Sequence, residues 1–253
     1  MFRPFLDKYL EWFYSFSAGI LVPSRHTLNK LFNKGYRNLE IWSRGINTAC
    51  FNPEFRNMEL RDRFGKDKFI VLYVGRLSRE KNLDMLLHAA AVIENCFPAQ
   101  TMFVFTGDGP YAEIVQDCGL SNVLCTGFRR GRELSEIYAS ADCFAFPSGT
   151  ETFGNVVLEA MASGLPVAGV ASGGVMDFLS HNHNALLCAA GDADAFTNNL
   201  VSFMADENLR LRLAENARQD TQTRDWNHIF DGLIAAYNSV INEKQQAFFK
   251  LSA

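Results

Sequence analysis

Pro147-Ser148-Gly149-Thr150-Glu151-Thr152-Phe153-Gly154-Asn155-Val156-Val157-Leu158-Glu159-Ala160-Met161-Ala162-Ser163-Gly164-Leu165-Pro166-Val167 is the stretch on which the fold turns. The apolar run Cys143–Phe146 before it has the length of a buried strand, Gly154-Asn155 marks a helix start, Gly164 stops that helix, and Val167–Val170 is apolar again. Two buried strands joined through a helix must be parallel, because a hairpin turn cannot connect them. The same alternation extends in both directions. Phe69–Val74, 102–106, 123–125 and Ala185–Cys188 read as further buried strands, and 83–94, 111–118, Gly131–Ala139, 155–163, 175–179, 193–204 and 207–221 as helices. The fold class expected is α/β, a doubly wound, Rossmann-like parallel sheet.

Before Phe69 the pattern differs. A helix over 5–16, a strand at Ile20–Val22, a helix over 24–33 and a strand over 39–42 are too few elements for an independent doubly wound sheet. The expected division is therefore 1–45 as the remnant of another domain, 46–68 as a Gly-, Asn- and Pro-bearing interdomain linker, 69–225 as the sheet domain, and 226–253 as a closing helix and tail. Within the last, Ile229, Phe230, Leu233, Ile234, Tyr237 and Ile241 form one apolar helical face. Phe2, Phe5, Tyr9, Trp12, Phe13 and Phe16 make a similar aromatic face at the other end. It fits either packing into a domain or resting on a membrane surface.

Composition narrows the function classes. Of the 253 residues 48% are hydrophobic and 21% charged, the balance of a protein with a sizeable core. Twenty-four Lys and Arg against 28 Asp and Glu leave a net charge of −4, so no global positive field attracts nucleic acid. The six cysteines carry no zinc-type spacing and read as reduced, mostly buried thiols; the five histidines show no metal pattern either. With no secretion-type leader and no long apolar run, a cytoplasmic location is the default, with peripheral contact at the inner face of a membrane as the alternative.

Two loops carry chemistry. In Val74-Gly75-Arg76-Leu77-Ser78-Arg79-Glu80-Lys81-Asn82, Gly75 lets a ligand approach the backbone and Arg76 and Lys81 set two cations where an open α/β sheet binds ligands. Taken alone, such cations read equally as solvated surface. In the opening stretch, Gly154 and Asn155 begin a helix whose free N–H groups favour an anion. Glu151 in the loop and Glu159 inside the helix would serve different parts of one ligand, a carboxylate being suited to accept two sugar hydroxyls. Gly107-Asp108-Gly109-Pro110 and Gly173-Gly174 fit either pocket walls or simple turns.

This Glu151-x7-Glu159 pair together with Arg76 and Lys81 resembles the retaining glycosyltransferases of family 4, which have the GT-B fold, and the resemblance runs over essentially the whole chain. It implies that Arg76 and Lys81 clamp a donor diphosphate and that Glu151 lies against the transferred sugar. It also implies that Glu159 holds the ribose, that amides around Phe153, Gly154, Asn155 and Val156 contact sugar and phosphate, and that the main chain at Phe128 meets the base. Gly75, Arg76, Lys81, Phe128, Glu151, Phe153, Gly154, Asn155, Val156 and Glu159 are thus the expected donor site, with Glu151, Arg76 and Lys81 catalytic. No cofactor or metal is expected, since the cations and a helix N-terminus supply positive charge. The expected donor is GDP-mannose or a UDP-hexose and the acceptor a sugar or glycolipid. A separate chain supplying the other half is the implied partner, since the family's acceptor loop has no counterpart before Phe69. A non-catalytic nucleotide-sugar-binding module, a subunit of a split transferase and a nucleotide-sugar epimerase are the alternatives. The last leaves the Arg76/Lys81 plus Glu151/Glu159 combination unexplained.

Overall fold

The computed structural model describes residues 3–251, and side chains from 6 to 242. It divides into two compact units, Ile46–Thr223 and a second that joins Met1–Gly45 with Arg224–Ala253.

In the second unit, α1 (Arg3–Ser15) precedes β1 (Ile20–Val22), α2 (Arg25–Phe32) and β2 (Leu39–Ile41), and the chain returns as α10 (Trp226–Leu251). β1 and β2 pair in parallel, Leu21 opposite Glu40, with α2 as the crossover. Ser24 caps α2 by accepting the Thr27 amide, satisfying one of the orphan donors of the first turn. The expected apolar face of α10 divides in two. Ile229 and Leu233 turn toward a groove shared with Leu21, Ile41 and Trp42, while Phe230, Ile234, Tyr237 and Ile241 are exposed. On α1, Tyr9, Trp12 and Phe13 are exposed too, as is Phe16 just after it, and among the described residues Tyr14 alone meets an aromatic partner on the following segment, Tyr36. Phe2 and the side chain of Phe5 lie outside the described residues.

In the first unit, α3 (Met58–Gly65) leads into a six-stranded sheet. Its strands are β3 (Phe69–Val74), β4 (Thr101–Thr106), β5 (Val123–Gly127), β6 (Cys143–Phe146), β7 (Val167–Val170) and β8 (Ala185–Cys188). The connecting helices are α4 (Leu83–Cys96), α5 (Ala112–Gln116), α6 (Gly131–Ala139), α7 (Asn155–Ala162), α8 (Ala193–Ala205) and α9 (Glu207–Gln222). All pairings are parallel and the order is β5-β4-β3-β6-β7-β8. Strand alternation sorts the core into two layers. Ile70, Leu72 and Val74 face one side with Phe64, Tyr138 and α7; Val71 and Tyr73 face the other with α4 and α8. Leu83, Leu86 and Ile93 of α4 are essentially inaccessible, each contributing about 1.5–3 kcal/mol of apolar burial.

Three features depart from the sequence reading. The segment 46–68, expected to be a linker, clusters with the sheet unit: Phe64 is buried, and Asn57 caps α3 and donates from its amide to Glu136 of α6 at 3.0 Å. The stretch 175–179 is no α-helix; a 3-10 turn, Gly173–Asp177, replaces it, and a Cβ on Gly174 would lie 2.0 Å from the Thr152 carbonyl oxygen. Of the six free cysteines only Cys143 and Cys188 are buried, and Cys50 and Cys96 are exposed, since both fall in loops or at a helix end.

Candidate functional site

The strand order reverses at β3, whose neighbours β4 and β6 lead the chain outward on opposite sides. Loops after β3 and β6 therefore leave the sheet in opposite directions and open a crevice at its carboxyl edge, where doubly wound sheets take their ligands. These are the two loops that the sequence singled out. They touch through three contacts: Lys81 pairs with Glu151, Thr150 Oγ1 donates to the Glu80 carbonyl at 3.3 Å, and Asn82 Nδ2 donates to the Pro147 carbonyl at 3.4 Å.

At the end of β3, a cleft of about 370 Å³ is walled by Gly75, Arg76, Gly107, Phe128, Val156 and Glu159, with Asp108 and Arg129 also on its surface. Arg76 from the loop after β3 and Glu159 from α7 share this one space. Arg76 is exposed, with no carboxylate at salt-bridge distance among the described residues, so its charge is free to meet an anion. A larger hollow of about 570 Å³ lies between α3, α6 and β5, lined by Glu59, Arg63, Glu133 and Glu136 among others. It holds none of the expected donor residues and shares only Arg129 with the cleft, so position at the strand ends decides for the smaller cleft.

Close backbone approach shapes the cleft rim. Gly75 N donates to the Thr106 carbonyl and Gly107 N to the Gly127 carbonyl, both at 3.0 Å, continuing the ladder across β3, β4 and β5. A Cβ on Gly107 would lie 1.9 Å from the Gly75 carbonyl oxygen, and its φ of +145° suits glycine alone, so this residue is a wall as well as a turn. The Gly173-Gly174 turn instead props the second loop from behind, its Gly174 amide donating to the Glu151 carbonyl at 2.8 Å.

On the second loop, Gly154 starts α7 with φ +97° and no side-chain cap, which leaves helix-start amides unclaimed by a capping side chain. Asn155 is exposed there, whereas Phe153 is buried and packs its ring against Phe178 at 5.4 Å, confining any ligand role of Phe153 to its main chain. Phe128 is largely exposed on the rim. Glu159 lies inside α7, and its Oε2 accepts the Tyr138 hydroxyl proton at 2.9 Å. Burial raises the Glu159 carboxyl above the ordinary range, and the Tyr138 hydrogen bond works against that rise.

Two tyrosines at the site were missed in the sequence. Tyr73 donates to the Arg76 carbonyl at 3.0 Å and so pins the first loop; burial, then Glu151 and Glu80, push its phenol up, keeping the proton in place. Tyr138 does the same for Glu159, with burial and then Glu159 itself raising its phenol. The available signal was a polar-tipped aromatic at the carboxyl end of an apolar strand, and a Tyr on the inward face of α6. No group of three or more His, Cys, Asp or Glu among the described residues is arranged to hold a metal.

The profile of the family described as Glycosyl transferases group 1 matches residues 56–220. The chain is 35% identical over 238 residues to the sulfoquinovosyl transferase of Arabidopsis thaliana, covering 90% of this chain and 44% of that protein. It is 36% identical over 221 residues to a GDP-mannose-dependent alpha-mannosyltransferase of Mycobacterium tuberculosis, covering 87% and 56%. Among solved structures it resembles Anabaena HepE in complex with UDP and glucose, with TM-score 0.82, 24% identity, and 92% and 66% of the two chains covered; this likeness shows the fold. The chain spans about half the length of the sequence relatives it matches.

Proposed function

This chain belongs to the group 1 glycosyl transferases, and from that premise we propose that it forms the donor half of a retaining, family 4 hexosyltransferase that uses a nucleoside-diphosphate sugar. The observation that carries the reading is the shared cleft of Arg76 and Glu159 at the point where the strand order reverses. A cation for a diphosphate and a carboxylate for ribose hydroxyls then line one space, as recognition of two parts of one nucleotide requires. Phe128 and its main chain meet the base, and the amides of 153–156 meet phosphate and sugar.

Lys81 and Glu151 hold each other in this structure. In the proposal, donor binding opens the pair: the Lys81 ammonium joins Arg76 on the leaving diphosphate, and the Glu151 carboxylate turns to the hexose. Charge accumulating on the diphosphate is stabilised by these two cations and the start of α7, so no metal is required. The reaction needs no protein nucleophile; the acceptor hydroxyl attacks C1 from the face the diphosphate leaves, the C1–phosphate oxygen bond breaks, and the departing diphosphate takes the hydroxyl proton, which retains configuration. The acceptor wall, for a sugar or a glycolipid, comes from further chain or from a second polypeptide. The relatives favour GDP-mannose or a UDP-hexose as donor. A cytoplasmic site with peripheral contact at the inner membrane face suits a glycolipid acceptor, and the exposed aromatic face of α1 supports it.

Isothermal titration with GDP and with UDP tests the donor half directly. At least one binds, and Glu159→Ala weakens it by about tenfold or more, as expected for loss of a charge-assisted hydrogen bond. Equal heats from both proteins would overturn the assignment.

A further inference from the structure

Tyr138 is completely buried in the middle of the sheet unit, yet its hydroxyl reaches the donor helix at two places. It lies 2.9 Å from Glu159 Oε2 and 3.2 Å from the Val156 carbonyl oxygen. Its ring is fixed from both sides, edge-on to Phe51 at 5.6 Å and tilted against Phe144 at 5.9 Å, so the hydroxyl has little freedom to leave. Val156 and Glu159 both line the cleft, one at its helix-start wall and the other deeper along α7.

We propose that Tyr138 is a positioning residue for donor binding: from α6 its hydroxyl engages one oxygen of Glu159, leaving the other turned to the cleft as the acceptor for ribose hydroxyls. This rests on the donor reading above and adds to it the device that aims the carboxylate. One phenolic proton cannot serve two acceptors at once, and the shorter contact goes to the carboxylate. A charge-assisted hydrogen bond from a phenol that holds its proton opposes the rise that burial imposes on the Glu159 carboxyl. The charged groups facing that space are Arg76 from the first loop, Asp108 from the turn after β4, and Arg129 after β5; Tyr73 approaches Tyr138 from β3.

The sign of the pH effect follows. Glu159 must be ionised to accept hydroxyl protons, so nucleotide affinity rises with pH through its titration. Tyr138→Phe removes the donor while keeping the ring, which moves that rise to higher pH and weakens affinity by about tenfold near the midpoint. The test uses the 253-residue chain. Carbon-13 NMR of the side-chain carboxyls, assigned with Glu159→Gln, follows the Glu159 titration without ligand in the wild type and in Tyr138→Phe, and calorimetry with UDP and GDP follows affinity across the same pH range. The expected result is an upward move of both the titration and the binding limb in Tyr138→Phe, with no effect of Tyr138→Phe on affinity in a Glu159→Gln background.

An unmoved carboxyl titration overturns the inference even where no nucleotide binds. A weaker affinity equal at all pH values, or one that persists in the Glu159→Gln background, also overturns it and reduces Tyr138 to a packing residue. Thermal unfolding of each variant separates these results from misfolding. Failure of the wild type to bind either nucleotide sinks the donor reading instead, leaving the carboxyl titration to judge Tyr138.

Discussion

The two charged pairs that span the crevice are built on opposite principles. Around Glu159 the carboxylate is aimed by a buried hydroxyl, the rim is a continuation of the strand ladder, and Arg76 stands without an ion-pair partner at salt-bridge distance. At Lys81 and Glu151 the charges satisfy each other across the loops. The first arrangement is preorganised, its cost already met by folding; the second must exchange an internal partner for a ligand. Preorganised groups contribute affinity, while a pair that opens contributes a conformational response.

Substitutions can break each arrangement separately. The largest effect belongs to the backbone-built rim. Gly107→Ala places a methyl group 1.9 Å from the Gly75 carbonyl oxygen in a backbone conformation that L-residues avoid, and costs about 3 kcal/mol or more in chemical denaturation. A loss below about 1 kcal/mol would show that the rim yields and is less rigid than described. Lys81→Ala comes next and splits by readout. As a part-buried pair at the loop tips it changes unfolding free energy by about 1 kcal/mol or less, yet it lowers nucleotide affinity by about tenfold. A stability loss larger than the affinity loss would make the pair a structural clamp and remove the contrast between the two arrangements.

The smallest effect has the opposite sign. Burial raises the Glu159 carboxyl, so the folded state holds that proton more tightly than the unfolded chain, and stability is lost as pH rises through the folded titration. Glu159→Gln therefore stabilises the ligand-free protein at neutral pH by on the order of 0.5–1 kcal/mol, and the gain vanishes in acid, where the carboxyl is already neutral. Urea melts at two pH values check this, and a destabilised variant at neutral pH would show that the carboxylate is held more favourably than its burial implies.

Much of the sheet unit was legible because its strands are short apolar runs bounded by glycine and proline. The run 143–146, Gly154 and Gly164 alone marked a strand, a helix start and a helix stop where the structure has them. α3 escaped notice because its apolar content is little more than Leu60 and Phe64 among charges; burial of Phe64 by distant residues, not local pattern, makes it a helix of this unit. The turn at 173–177 escaped for the converse reason, since an apolar stretch looks helical until a neighbouring loop crowds it. At the site, Arg76 and Glu159 were readable from motif and spacing. Tyr138 was not, because a contact over 21 positions between two helices depends on tertiary packing that no local window contains. The mutual pairing of Lys81 and Glu151, 70 positions apart, was hidden in the same way.

Reversal of strand order has a consequence for how the molecule acquires its capacity to bind. The loop after β3 and the loop after β6 become neighbours only when Val71 registers with Cys143 and Leu72 with Phe144, a closure that spans two intervening strands and three helices. A nascent chain that has completed β3, β4 and β5 owns one lip and no crevice. Under the proposed donor reading, ligand capture is therefore a reporter of that single long-distance seam: a nucleotide that bridges the two loops favours the seamed state by mass action, coupling donor supply to the stability of the folded domain.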